Sequence, residues 1–525
     1  MNSSRPDKAA HLPEPPTRLR ASSVDRGAPQ TTPPNLLRAV LEQRGWLSWA
    51  VFDVHFMSTA RQVSPTGQPR VSSSLTSYKR WLSGENLPRG EAAVVLEAML
   101  GVEIELLFRP APVRDAPVPR PLHLSSRAEA LTLDTRYTNS TLFPTSPTAG
   151  VDGLWRLDGR ELFEGTTVAV QMYEAVALPD DVVAILSEDY PHLRNFVRPL
   201  RRGLLLGSLG AGLSEGPFLL DAAYARRHLA VDQPVEMLPI PTAYRVDDLT
   251  FAIVWALTLL DDGLSADDSV LHTEEQGLEQ YLSKPLSAGP RSLAPDLSQV
   301  GAAWLGSRFC SEHALRQLGC GGEPGALWNR EQTGEEASMR LFFRHQHHFI
   351  VEARQRLAGE SGTVGSAHCI PEAVVKDSPS YERILLFLAI AWMEMHGLVA
   401  WVCSEPEYSQ MDGLVLVPGR QAVISNWLRT PDIWFADVTD RKSRIRAYSQ
   451  AVDHARMHSV IEGATAPERL HALADYLELD WSWLARRCRE LGGYGTVDML
   501  RPRSRLLTLT ELDRVLDFVG GFSAA

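Results

Sequence analysis

The segment RLFFRHQHHFIVEAR (340–354) sets His345 and His348 three residues apart, a spacing that brings two imidazoles onto one face of a helix. Neutral imidazoles so placed can ligate zinc, and His368 with Cys369 could complete a tetrahedron. No H-E-x-x-H accompanies them, and Glu335, Glu336 and Glu352 read as solvent-facing, so a metal-dependent enzyme is the alternative reading of this region and not the first. Asp261, Asp262, Asp267 and Asp268 form a second concentration of oxygen ligands. Their spacing fits neither an EF-hand loop nor a phosphate-binding site, and a solvated loop is expected there. Cys310 and Cys320 lack structural-zinc spacing, and no G-x-S-x-G, Walker or dinucleotide-binding loop occurs. The expectation is a non-enzyme with no catalytic residue, no metal and no cofactor.

A different chemistry is written in SSSLTSYKRWLSGENLPRG (72–90). Three serines can cap a helix whose Leu75, Tyr78, Trp81 and Leu82 make a core stripe, which turns Thr76, Ser77, Lys79 and Arg80 outward. Gly84 suits the left-handed position after a helix, and Pro88 stops continuation. Hydroxyls and cations on one exposed helical face can reach phosphates and base edges in a DNA major groove.

The elements around this face must position it. PNLLRAVLEQRGW (34–46) reads as a short amphipathic helix. SWAVFDVHFMSTARQV (48–63) follows, with Ser48 as N-cap and Ala50, Val51, Val54 and Met57 on its core face. After the central helix come GEAAVVLEAML (90–100) and a fifth helix in VEIELLF. LRAVLEQRGW, SSLTSYKRWLSG and LPRGEAAVVLEAMLGV, in that order, resemble the λ-repressor/Cro-like (XRE-type) helix-turn-helix regulators. The likeness is to the large actinobacterial kind that carries a long C-terminal effector region. Two features depart from that family: a turn of RQVSPTGQPR before the reading helix, and bulky Trp49 and Phe52 on the helix before it. The resemblance implies double-stranded DNA as partner, with Ser73, Ser74, Thr76 and Ser77 near bases and Lys79, Arg80 and Arg89 on phosphates.

Charge agrees with that division. Residues 1–120 carry 15 Lys+Arg against 11 Asp+Glu, whereas the whole 525-residue chain has a net charge of −12. An N-terminal part can therefore approach a polyanion while the acidic body cannot do so over its whole surface. Five cysteines without a C-x-x-C read as buried free thiols of a reducing compartment, and the absence of a signal peptide or membrane span points to the cytoplasm. Residues 1–33 read as a disordered tail, 34–109 as the DNA-binding domain, 110–125 as a Pro-rich linker and 126–525 as an effector or oligomerisation region, with a split near 300 left open.

Within that region, residues 126–245 give few signals, TTVAVQMYEAVAL (166–178) fits either strand or helix, and Arg198, Arg201 and Arg202 read as a solvated charged face. Residues 246–268 read as a buried core helix ending near Asp261. SYERILLFLAIAWMEMHG, LVAWVCS and DGLVLVPGRQAVISNW form helix, strand and hairpin, an α/β part at about 380–430 that resembles one lobe of the phospholipase D fold. Aligned on that lobe's H-x-K-x4-D, the chain has Met411, Gly413 and Pro418, so the resemblance implies no phosphoryl-transfer chemistry. Residues 467–491 read as an αα-hairpin, with a second helix-turn-helix bearing Arg486, Arg487 and Arg489 as the alternative. The expected fold is multidomain and predominantly α, with an all-α helix-turn-helix domain and a large mixed α+β C-terminal region. The expected function is a bacterial transcription regulator acting as a homodimer, open to a small-molecule or protein effector, with no membrane partner. A non-catalytic protein-binding adaptor is the further alternative.

Overall fold

Apolar strands without polar alternation decide the architecture. The chain is mixed α/β, 53% helical and 20% strand with two seven-stranded sheets, and this corrects the predominantly α expectation. The computed structural model describes residues 35–43, 46–64, 71, 74–109, 133, 136–144, 151–179, 181–186, 190–198, 202–209, 216–229, 237–293, 296–319, 324–359 and 362–524. The expected tail and Pro-rich linker, with Ser73, Arg201 and Cys320, lie outside the described residues.

Five helices come first: α1 (Leu36–Gln43), α2 (Trp49–Val63), α3 (Leu75–Leu82), α4 (Glu91–Leu100) and α5 (Ile104–Leu107). Gly84 and Gly101 follow α3 and α4 at φ of 73° and 72°, the left-handed geometry that glycine adopts without Cβ strain. The buried face of α2 is Phe52, Phe56 and Ala60, whereas Val51 and Val54 are exposed, so its expected core face is rotated. These helices share a core that reaches onto Leu154 and Ala169 of the first sheet.

That sheet is built from β1 (Ser140–Pro144), β2 (Val151–Leu157), β3 (Thr166–Leu178), β4 (Val182–Leu186), β5 (Gly203–Ser208), β6 (Phe218–Asp221) and β7 (Met237–Pro241), with α6 (Tyr190–Val197) and α7 (Ala222–Leu229) interspersed. The 13-residue β3 is its spine. Its first part pairs antiparallel with β2 and parallel with β5, and its last residues turn to pair with β4.

Behind the sheet runs α8 (Asp248–Gly277), capped by Asp247, whose carboxylate accepts from the Thr250 N–H at 3.1 Å. Every residue from Leu249 to Leu260 is buried, as in a helix enclosed on all sides. The helix continues past Asp261 through the aspartates, so the expected solvated loop is helical. Asp261 is itself fully buried and accepts from Arg202, from Arg503 N at 2.9 Å and from Ser504 N at 2.6 Å. Arg202, read from sequence as solvated, is buried as its ion-pair partner. The span Asp248–Leu282 is apolar and long enough to cross a membrane, but 78% of its most apolar window is buried inside the fold.

The chain continues through α9 (Glu279–Leu282), β8 (Ser287–Gly289) and α10 (Gln299–Gln317) into β9 (Ala326–Asn329), α11 (Gly334–Phe342), α12 (Arg344–Leu357) and β10 (Val364–Cys369). Next come α13 (Glu372–Asp377), α14 (Ser380–Met395), β11 (Leu398–Cys403), β12 (Leu414–Val417), β13 (Gln421–Asn426) and β14 (Trp434–Thr439). Strands β9, β10 and β11 are parallel and joined by helical crossovers, and antiparallel strands complete the order β11-β10-β9-β12-β13-β14-β8. Helices α15 (Lys442–Met457), α16 (Ala466–Tyr476), α17 (Trp481–Tyr494) and α18 (Thr510–Gly520) close the chain. One buried cluster runs from Leu133 to Val519 and includes residues of both sheets.

Asp267 supplies a pH-dependent joint between α8 and α10. Its carboxylate accepts from Ser298 N at 2.9 Å and Ser298 Oγ at 2.6 Å, and a Cβ at Gly301 would lie 2.1 Å from its Oδ2. Burial raises this carboxyl to about 6 against the opposing bonds from Ser298. Between about pH 4 and 6 the folded chain keeps a proton that the unfolded chain releases, so this stabilisation is full below pH 4 and is lost as pH rises through 6. Asp267→Asn is expected to remove about 2 kcal/mol of that decline, seen as a flatter urea midpoint between pH 4 and 6.5 than in the parent.

Candidate nucleic-acid interface

Two aromatic anchors fix which way α3 faces. Tyr78 lies 4.4 Å from the Phe52 ring and 5.4 Å from that of Trp49, and its hydroxyl donates to Leu47 O at 2.7 Å. Burial raises the Tyr78 phenol above its ordinary value, with Arg38 opposing, and so keeps it a neutral donor. Trp81 packs 6.0 Å from Phe56, and the Trp81 carbonyl accepts from Asn35 Nδ2 at 2.7 Å. Leu75, expected in the core stripe, is 44% exposed at the first turn, so Tyr78 and Trp81 form the buried side and Leu82 is half-buried.

The opposite side carries the expected DNA-facing residues. Ser74 is the N-cap, accepting from Ser77 N at 3.1 Å, and the two hydroxyls lie 2.9 Å apart. Thr76, Lys79 and Arg80 are exposed at helical spacings of three and four, so they share a face. Arg89 is exposed just before α4, beyond buried Pro88. Among the described residues, none of Lys79, Arg80 and Arg89 is paired with a carboxylate. Of the acidic residues of this unit, Glu91, Glu97, Glu103 and Glu105 lie on or beside α4 and α5, Glu42 on α1, Asp53 on α2 and Glu85 in the turn after α3. Chemically, this face offers hydroxyl donors and acceptors at one end of a short helix and two unpaired cations at the other.

The histidines behave differently. His345 is buried, its Nε2 is 2.8 Å from Ser307 Oγ, and burial pushes it well below its ordinary value, whereas His348 is exposed. The pair expected to share a ligand is therefore divided between core and solvent. Burial also lowers His368 to about 4, and its Nε2 lies 3.0 Å from Ser366 Oγ. Among the described residues, no group of three or more His, Cys, Asp or Glu side chains could hold a metal ion. Cys310, Cys369, Cys403 and Cys488 are buried free thiols.

Sequence reading missed a buried polar network at the carboxyl ends of β9 and β10. Arg340 donates to Glu331 at 2.7 Å and to Gln346 at 3.2 Å, and Gln346 donates to Ser307 and Ser311. The only signal for it was polar residues directly after apolar strands, ALW before Asn329-Arg330-Glu331. The cavity beside it holds about 50 Å³, which is too small for a substrate. Ser366 and His368, at 0% and 2% exposure, are sealed in the core.

No family model, curated protein or solved structure matches the chain. The functional reading therefore rests on the residues and geometry just described.

Proposed function

We propose that this chain is a cytoplasmic, sequence-specific DNA-binding transcription regulator that acts as a homodimer, with the five N-terminal helices as reader and the rest of the chain for sensing and oligomerisation. The observation that carries the reading is the outward face of α3, where Ser74, Thr76, Lys79 and Arg80 stand exposed around buried Tyr78 and Trp81. Short hydroxyl side chains suit base edges, and unpaired Lys and Arg suit phosphates, which fix register without carrying sequence information. A single small reader holds its site weakly, so two readers on one dimer are expected, with half-site spacing set by the dimer.

Selection of DNA from a random library with the full chain, followed by titration at several salt concentrations, tests this. A recurring palindrome or direct repeat is expected, with a log–log salt slope of about −5 if three cations per protomer meet phosphates in a dimer. Weak, sequence-blind binding would overturn the reading and favour a protein partner for these helices.

A further inference from the structure

Where the reader meets the body, the seam is hollow. One lobe of about 270 Å³ and an adjoining one of about 560 Å³ share Trp46, His55, Ser58, Asp262 and Ala266. One wall is made by the loop before α2, α2 itself and the end of α4, the other by β3 and α8. Lobes of this size suit a small metabolite.

Two buried polar groups in the smaller lobe lack partners. Arg202 is 8% exposed, and its Nη2 serves Asp261 and, at 3.2 Å, Arg501 O, but its Nη1 has no hydrogen-bond partner in the structure. Thr258, 1% exposed, likewise leaves its hydroxyl without one. Buried donors are normally paired, so an unpartnered guanidinium N–H and an unpartnered hydroxyl on two residues that line one cavity mark a place where a ligand oxygen belongs.

The surrounding charges narrow the ligand further. Arg503 reaches Asp261 at 3.3 Å and Asp262 at 3.8 Å, and Asp221 also acts on Arg202, so two guanidinium groups stand against three carboxylates before anything binds. A phosphate dianion would leave that balance strongly negative beside Asp262. A zwitterion keeps it, with its carboxylate on Arg202 and Thr258 and its ammonium toward Asp262. Trp46 and Met99 offer an apolar surface for a side chain.

We infer that this seam is a binding site for a free α-amino acid or an amino-acid-like zwitterion. Because Trp46, His55 and Ser58 belong to the reader's wall, occupancy also fixes how the reader sits on the body. The site stands by itself, and its use as an effector site rests on the DNA-binding reading.

The test is calorimetric titration and thermal shift of the full chain with each of the twenty amino acids, alongside inorganic phosphate and ribose 5-phosphate. Saturable binding of one or a few amino acids is expected. Thr258→Val should weaken it about tenfold while the unliganded protein melts no lower than the parent, since the substitution removes an unpaired buried hydroxyl. Asp262→Asn should weaken the amino acid while leaving its amine-free carboxylate analogue unaffected or tighter. No binding by any amino acid at millimolar concentration, or binding of the phosphates alone, overturns the proposal, as does full affinity in Thr258→Val. Affinity for the selected DNA is measured on the same samples. An amino acid that binds a protein with no DNA preference sinks the regulator reading and leaves the pocket standing, while sequence-specific DNA binding with an empty pocket does the reverse.

Discussion

Replacing Lys79 and Arg80 together with alanine is expected to weaken the chain's hold on its selected DNA by on the order of a hundredfold at physiological salt, and to flatten the log–log salt slope by about two for each protomer. Both side chains are exposed on the last turn of α3 and free of carboxylate partners among the described residues, so little is lost in the unbound protein. Stability should stay within about 0.5 kcal/mol of the parent, which separates a lost contact from a damaged fold. The loss should be nearly uniform across DNA sequences, because phosphate contacts carry no sequence information directly. Thr76→Ala should behave in the opposite way, relaxing preference at one or two positions with the salt slope unchanged. An unchanged slope in the double variant would remove α3 from the DNA and leave its exposed face to a protein partner.

That face was legible because its determinants are local. Ser74 caps, Tyr78 and Trp81 recur at three residues, and Gly84 closes the helix, all within one short stretch. The rotation of α2 was not, because Trp49, Val51, Phe52, Val54, Phe56 and Val63 put apolar groups on more than one side. Phe52 and Phe56 enter the reader's core, while Val51, Val54 and Val63 line the seam against the body, a second surface that no local pattern announces. The bulk of Phe52 has a place in the reader's core, since Phe52 is the ring on which Tyr78 packs.

The strand β11 and the hairpin of β12 and β13 were legible in LVAWVCS and DGLVLVPGRQAVISNW, but most of the two sheets escaped notice for a physical reason. Strands such as β5 and β6 are buried along their whole length, so they show no alternation of polar and apolar residues, and short runs like GLLLGS fit a strand or a helix. The aspartates of α8 were misread for a related one. Asp261 finds Arg503 and Ser504 more than 240 residues later in the chain, and its burial depends on them. At the histidines, three-residue spacing fixed a shared direction, but packing against Ser307 set one ring inside and left its neighbour in water.

Arg487→Leu is expected to cost about 3–5 kcal/mol, the largest loss of stability from any single change considered for this chain, read as a lowered urea midpoint. The sequence offered Arg486, Arg487 and Arg489 together as a basic face, yet they do three different things. Arg486 is exposed and lies 3.7 Å from Glu490, while Arg489 donates to Gly520 O at 3.1 Å and ties α17 to the end of α18. Arg487 has no exposed side-chain surface and donates to Asp247 at 2.5 Å, to Glu490 at 2.5 Å and to Ala243 O at 2.9 Å. Asp247 is also the cap of α8, so one guanidinium joins the C-terminal helices to the start of the central helix. Leucine fills the volume but strands the Asp247 carboxylate in the core with only the Thr250 N–H to receive it. Asp247→Asn in the Arg487→Leu background should recover part of the loss, because the amide oxygen still caps and no buried charge remains. Arg486→Ala should change the midpoint by no more than about 0.5 kcal/mol, since an exposed ion pair contributes little. Equal effects at Arg486 and Arg487 would mean that the buried network does not hold the C-terminal helices to the start of α8.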